Sequence, residues 1–286
     1  MLTHAPLPRR VRAARGGRLL LGLALFIGSS VAVISAPAPV AAHQPVVVDS
    51  ETTGVTDPEI SKAYYATLVG EPQRYLIDSP VAFDLYVGIL VPDDGSPVKD
   101  VAAEIFQGDE LLARLGGVEA AWSTFYEPFG QNTYYDGGEY RLRAAPGVYS
   151  VVVSSIDNTS SYSLAIGEIE SFDAEAILRT FAVMPTLQQE LFGVSTLGFA
   201  GSWFGLLSLA IIAAAALLTA LCYRALLRWQ RLRLIVGRSW PISRGVRGVA
   251  ALLLLSAALS IPWNPLLLFA SGLLLFDVLL GRRDTV

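Results

Sequence analysis

Phe83-Asp84-Leu85-Tyr86-Val87-Gly88-Ile89-Leu90-Val91 sets Phe83, Leu85, Val87, Ile89 and Val91 in alternation with Asp84, Tyr86, Gly88 and Leu90. A period of two marks a strand with one face in a core. On either side, Tyr64–Val69, Arg74–Asp78, Val101–Gln107, Glu110–Leu115, Glu139–Ala144, Val148–Ser155 and Tyr162–Ile166 read as shorter strands. Turn residues divide them: Gly70-Glu71-Pro72, Asp93-Asp94-Gly95, Gly108-Asp109, Gly116-Gly117, Pro146-Gly147 and Asp157-Asn158. Short strands at this spacing predict an all-β antiparallel sandwich over residues 43–170, followed by α-helical transmembrane segments. Tyr149, two residues after Gly147 at a strand entry, fits a tyrosine corner, in which the phenol bonds back to upstream backbone. That is a core role.

The order Tyr75-Leu76-Ile77, Phe83-Asp84-Leu85-Tyr86-Val87, Pro146-Gly147-Val148-Tyr149-Ser150-Val151-Val152 and Ser161-Tyr162-Ser163-Leu164 resembles the bacterial pre-peptidase C-terminal sandwich. The resemblance runs from about Tyr64 to Ile166, and the segment before Glu139 is an addition to the family's order. It implies an accessory, secretion-linked binding module rather than a catalyst.

The flanks read as membrane-directed. Arg9, Arg10, Arg12, Arg15 and Arg18 precede an apolar run, Leu19 to Ile34, and then Val40-Ala41-Ala42. This is the layout of a secretory signal peptide over 1–42, cut after Ala42, or else of an uncleaved signal anchor. Either form puts the sandwich outside the cytoplasm. After it, 171–195 reads as an amphipathic juxtamembrane stalk. Ile177, Leu178, Phe181, Met184, Leu187 and Leu191 form its apolar stripe, Ser171 or Asp173 its cap, and Pro185 a kink or division.

Residues 196–223 read as a transmembrane helix. Trp203 to Tyr223 is 21 residues without a charge, about 31 Å as a helix. The stretch 224–247 carries Arg224, Arg228, Arg231, Arg233, Arg238, Arg244 and Arg247 with no acid and no lysine, so it reads as a basic cytoplasmic loop. Trp229 and Trp240 would sit near the inner interface, where the arginines meet anionic lipid heads. Residues 248–281 are apolar around Pro262-Trp263-Asn264-Pro265 and read as a helical hairpin, either two short spans or a re-entrant one. Residues 282–286, with Arg282 and Arg283, are the cytoplasmic tail.

Composition narrows the function. The stretch 43–192 holds 23 Asp and Glu against 7 Lys and Arg, a net charge of about −16, which excludes nucleic acid as a partner. The chain has one cysteine, Cys222, and two histidines, His4 and His43, so Ser-His and Cys-His schemes lack parts outside the leader. No cofactor is implied.

The most unusual soluble stretch is Gly116 to Gly138, an aromatic loop with adjacent carboxylates. Trp122, Phe125, Tyr126, Glu127, Tyr134, Tyr135 and Asp136 are its candidate binding residues, accompanied by Phe129 and Glu119. Ring faces meet sugar C–H groups or peptide side chains, and carboxylates take hydroxyls or amines. Alternatively these aromatics fold back over an open end of the sandwich. Asp93, Asp94, Asp100, Asp109 and Glu110 are solvated turn acids or, less simply, calcium ligands. His43 would offer copper an imidazole and, after cleavage, an α-amine, but with no second histidine beside it. In the membrane, Gly201 and Gly205 offer a close-packing face for a homo-oligomer, and Asp277 reads as an interfacial acid near Arg282 and Arg283.

The expectation is a multi-pass cell-membrane protein of the bacterial envelope. Its main domain is extracytoplasmic, it has a binding or scaffolding role without catalysis, and its partners are membrane lipid and an envelope protein or glycan. Two alternatives belong to other classes. One is a subunit of a membrane transport or envelope-assembly complex, with the hairpin as its working part. The other is an enzyme on extracytoplasmic glycans or peptides, using Glu127 or Asp136.

Overall fold

The computed structural model describes residues 43–93, 99–128, 130–228, 244–260 and 262–280, all within the compact unit Val40–Val286. The signal-peptide reading of 1–42, Asp94, Gly95, Phe129, residues 229–243 with Trp229 and Trp240, and the tail with Arg282 and Arg283 lie outside them.

Eleven strands are described: β1 (Gln44–Val47), β2 (Thr52–Gly54), β3 (Lys62–Thr67), β4 (Gln73–Ser79), β5 (Phe83–Pro92), β6 (Ala102–Gln107), β7 (Glu110–Gly116), β8 (Ser123–Glu127), β9 (Asn132–Ala144), β10 (Gly147–Ser154) and β11 (Ser161–Ile166). They form a six-stranded sheet, β1-β3-β11-β5-β9-β8, and a five-stranded sheet, β2-β4-β10-β6-β7. One core lies between the sheets. The alternating side of β5 (Phe83, Leu85, Val87, Ile89, Val91) meets Tyr75 and Ile77 of β4, Ile105 of β6 and Tyr149, Val151 and Val153 of β10.

The purely antiparallel expectation is corrected. β1 pairs with β3, and β2 with β4, in parallel. Chain order explains it. β2 lies in the opposite sheet from β1 and β3, so the chain crosses over and re-enters the first sheet from the same end; β3 separates β2 from β4 likewise. Neither β1 nor β2 is long enough to show a period of two.

Inside the core, the Tyr75 and Tyr162 hydroxyls lie 2.8 Å apart, and Tyr162 donates to Gln73 Oε1 at 2.5 Å. Burial pushes both phenols well above their ordinary range. Tyr64, edge-on to Tyr75 at 5.2 Å, is pushed up to about 12 by burial. Tyr149 donates to the Ala145 carbonyl at 3.0 Å, as a tyrosine corner requires.

Among the described residues, five helices follow. The first is α1 (Ala174–Glu190), capped by Asp173, whose Oδ1 accepts from the Ala176 amide at 2.7 Å. Pro185 lies inside it without dividing it. The expected stripe is rotated. Met184 and Leu187 are buried together with Ala176, Thr180 and Gln188, while Ile177 and Leu178 are exposed. Met184, Leu187 and partly buried Phe181 serve a second small core with Tyr65, Phe199, Phe204 and Trp263, and this contact sets the helix's rotation.

Next come α2 (Thr196–Gly201) and α3 (Trp203–Arg228), then α4 (Arg244–Ser260) and α5 (Pro265–Leu280). The single span expected over 196–223 is broken at Ser202, whose backbone is extended. Ser202 Oγ accepts from the Gly205 amide at 3.1 Å and so caps α3. Among the described residues one helix, Trp203–Ala225, is long and apolar enough to cross a membrane, with mean hydropathy 2.4. α4 and α5 have 17 and 16 residues, about 25 Å each.

Contacts at both ends set the hairpin beside α2 and α3. Trp263, in the turn between α4 and α5, stacks edge-on against Phe199 at 4.7 Å. At the far end Asp277 of α5 meets Arg224 of α3. Midway, a Cβ on Gly272 would lie 3.2 Å from the Ala216 Cβ. The turn of the hairpin therefore packs on α2, and α5 runs along α3 past Ala216 to Arg224.

Candidate functional site

The stretch read as a loop, Gly116 to Gly138, is largely a hairpin. β8 pairs antiparallel with the first part of β9, Ser123 opposite Asp136 through to Glu127 opposite Asn132. β9 continues along β5, with a bulge where Gly137 and Gly138 stand opposite Ile89. Two features hid these strands. Ser123-Thr124-Phe125-Tyr126 is exposed on both faces, so β8 carries no apolar alternation. The Gly137-Gly138 pair reads as a turn but serves as the bulge.

The seven candidate residues fall into different surroundings. Trp122 is partly buried against the core and donates from Nε1 to the Gly117 carbonyl at 3.0 Å. Its ring lies where a Cβ on Gly137 would stand, 2.7 Å from two ring carbons, so glycine there makes room for the indole. The indole thus packs against the core of the sandwich. Tyr134 is 1 % exposed, edge-on to Phe192 at 5.3 Å and hydrogen-bonded to the Tyr65 hydroxyl. Burial drives its phenol far above the ordinary range.

Glu127 Oε2 accepts from the Gly130 amide at 2.5 Å. Asp136 Oδ1 accepts from the Gly138 amide at 2.8 Å and so pins the bulge. Lys99 Nζ lies 4.1 Å from the Tyr135 ring centroid. Only Phe125 and Tyr126, 42 % and 55 % exposed on β8, stand open to a partner. Beside the hairpin lies a groove of about 590 Å³ lined by Arg114, Glu119 and Gly137, among others.

The hairpin's tip has a role the sequence does not announce. Gln188 of α1, buried, donates from Nε2 to the Gly130 carbonyl at 2.9 Å. Gln131 Oε1 accepts from the amide of Trp203, the first residue of α3, at 3.2 Å. That amide has no partner within its own helix. The turn thus fastens the sheet to α1 and to the start of the long apolar helix. Gln131, Gln188 and Tyr65 carry no motif; only their contacts identify them.

The remaining candidates resolve individually. Asp100 accepts from the Ile156 amide at 3.0 Å and the Ser160 hydroxyl at 3.3 Å. Asp109 and Glu110 lie at the turn from β6 to β7. Among the described residues, no group of three or more His, Cys, Asp or Glu side chains is placed to hold a metal ion. His43 bonds through Nδ1 to the Ser61 hydroxyl, and burial lowers its imidazole from 6.5 against the opposing pull of Glu170 and Glu168.

Gly201 ends α2 while Gly205 lies in α3, so the two do not share one helix face. A Cβ on Gly205 would come within 1.8 Å of the Phe199 carbonyl oxygen, so its small size serves this chain's own α2–α3 joint. Asp277 is not a lone interfacial acid. It pairs through Oδ1 with Arg224 at 2.8 Å and through Oδ2 with Arg247.

No family model and no curated protein matches the chain. Solved structures similar to it include the pre-peptidase C-terminal domain of the collagenase from Bacillus anthracis, 12 % identical, covering 46 % of this chain and 98 % of that one, with a TM-score of 0.26. A ruminal endo-β-1,4-mannanase is 12 % identical over 39 % of this chain and 20 % of its own, TM-score 0.23. A β-glucosidase from Paenibacillus barengoltzii is 13 % identical over 46 % of this chain and 12 % of its own, TM-score 0.22. The chain thus spans about a fifth or less of the two glycosidases. The first of the three is the kind of domain that the strand motifs resemble.

Proposed function

We propose that the chain is a membrane-anchored envelope protein. In this reading its β-sandwich stands on the extracytoplasmic side as a binding or scaffolding module, and α3, α4 and α5 all cross the bilayer. The observation that carries it is the fastening of the β8–β9 turn to the first residue of the long apolar helix, Gln131 to Trp203 at 3.2 Å. An anchor hydrogen-bonded directly to the sandwich suits a displayed platform better than a tethered catalyst.

Three further features support it. Trp203 and Trp263 lie at one end of the helices and Arg224, Arg247 and Asp277 at the other, the distribution of an outer aromatic belt and a cationic inner end. The seven arginines of 224–247, with no acid among them, favour that stretch inside. Glu127 and Asp136, the two acids with the best claim to chemistry, each accept a backbone amide and hold the hairpin's shape.

Reporter fusions test it. A cytoplasmic reporter is expected to be active when fused after Gly237 and silent after Val194, with an exported reporter showing the reverse. An exported reporter active at Gly237 would overturn the orientation.

A further inference from the structure

Four strands end the two sheets, and three of them are blunted. β1 contains Pro45, packs beside α1, and is tied by the Gln44 side chain to the Ser171 carbonyl. β2 has three residues. β7 carries Glu110 and Arg114 and meets its neighbour across a register shift at Ile105/Phe106. Proline, short length, charge and bulges are the devices by which sheets avoid pairing with other chains. β8 carries only one charge, Glu127, at its last residue. Ser123-Thr124-Phe125-Tyr126-Glu127 is five residues in unbroken register with β9, contains no proline or lysine, and is rich in β-favouring side chains. Among the described residues it pairs with nothing on its outer side.

We propose that β8 takes an extended, basic segment of another polypeptide as an added strand. This rests on the binding-module reading above and names the partner's kind. Backbone pairing along the edge would supply affinity, and Phe125 and Tyr126, exposed on opposite faces of the strand, would each cover an apolar side chain of the incoming segment. Charge selects the occupant. Glu127 ends β8, Asp136 stands opposite its start, and the surrounding stretch 43–192 holds 23 acids against 7 bases. Lys or Arg at the ends of the added strand would complement that field, whereas a second copy of this acidic domain would be repelled.

The test uses the full chain in lipid nanodiscs with the peptide Lys-Thr-Val-Thr-Val-Thr-Lys and its Glu-ended counterpart. Amide hydrogen exchange across Ser123–Glu127 is expected to slow about tenfold with the Lys-ended peptide only. The slowing is expected to vanish in Phe125→Lys and Tyr126→Lys, single changes at exposed positions. Binding with protection elsewhere, equal binding of both peptides, or no binding would each overturn the proposal. So would concentration-dependent protection of β8 without peptide, which would assign the edge to a second copy. Solubilised protein reports on β8 whichever side of the membrane the sandwich faces, so failure of the topology reading and failure of this proposal are separable.

Discussion

Arg224 of α3 holds Asp277 of α5 at 2.8 Å and also donates to the backbone carbonyls of Asp277 at 2.6 Å and Leu280 at 2.7 Å. One guanidinium therefore pairs with a side chain and satisfies the end of a helix. The second oxygen of Asp277 takes Arg247 of α4, so a single carboxylate joins three helices. The pairs are only 17–26 % exposed, where loss of the shared acid leaves two cations facing each other.

Asp277→Asn is expected to destabilise the helical bundle by roughly 2–4 kcal/mol, read as a lower midpoint of thermal unfolding in detergent. Arg224→Ala added to that variant is expected to cost much less than it does alone. Additive losses would show that the bridge does not operate.

Gly205→Ala is expected to destabilise by about 1–3 kcal/mol, because the Phe199 carbonyl occupies the space a Cβ needs. Gly201→Ala, with nothing within 4 Å of its Cβ, is expected to change stability by less than about 0.5 kcal/mol. Equal effects of the two, with loss of dimer on cross-linking, would instead favour a joint self-association face.

Gln188→Leu leaves the Gly130 carbonyl without its donor, for a loss of about 1–3 kcal/mol. Its distinguishing mark is local: amide exchange should quicken at Gly130–Asn132 before it quickens in β10. Uniform acceleration across the sandwich would deny the tip its fastening role.

Trp122→Ala removes a ring wedged against Gly137 and is expected to cost about 2–4 kcal/mol. Tyr126→Ala is expected to stay within about 0.5 kcal/mol. Chemical denaturation of the two variants tells a packed ring from an open one, and a near-neutral Trp122→Ala would return the indole to the candidate binding residues.

Because burial holds the His43 imidazole below 6.5, the folded protein takes up its proton at lower pH than the unfolded chain. Its contribution is fully present above pH 6.5 and is lost as pH falls from there through the folded value. His43→Gln is expected to flatten the stability profile in that window, and an unchanged slope would place the titration elsewhere.

Much of this architecture is written locally. The alternation of Phe83 to Val91 forms β5, Gly147 and Tyr149 form the corner, Asp173 caps α1, and Trp203 starts the apolar helix. Each is a property of neighbours along the chain, and turn chemistry and side-chain period report on neighbours. The candidate site was less legible. Composition singled out the aromatic stretch, but not that Trp122 and Tyr134 face inward while Phe125 and Tyr126 face out. A Gly-Gly bulge shifts the side-chain parity of β9, and an edge strand has no buried face to impose a pattern.

The sequence by itself determined eight of the strand-forming stretches but not β1, β2 or β8, and it determined the acidic domain, the apolar helix and the arginines beyond it. Tertiary structure alone decided the parallel edge pairs, the rotation of α1, and the contacts Gln188–Gly130, Gln131–Trp203 and Arg224–Asp277. The physical reason is range. Hydrophobic period and turn preference act over a few residues, whereas these contacts join groups 53 to 72 positions apart, and only folding brings them within a hydrogen bond's length.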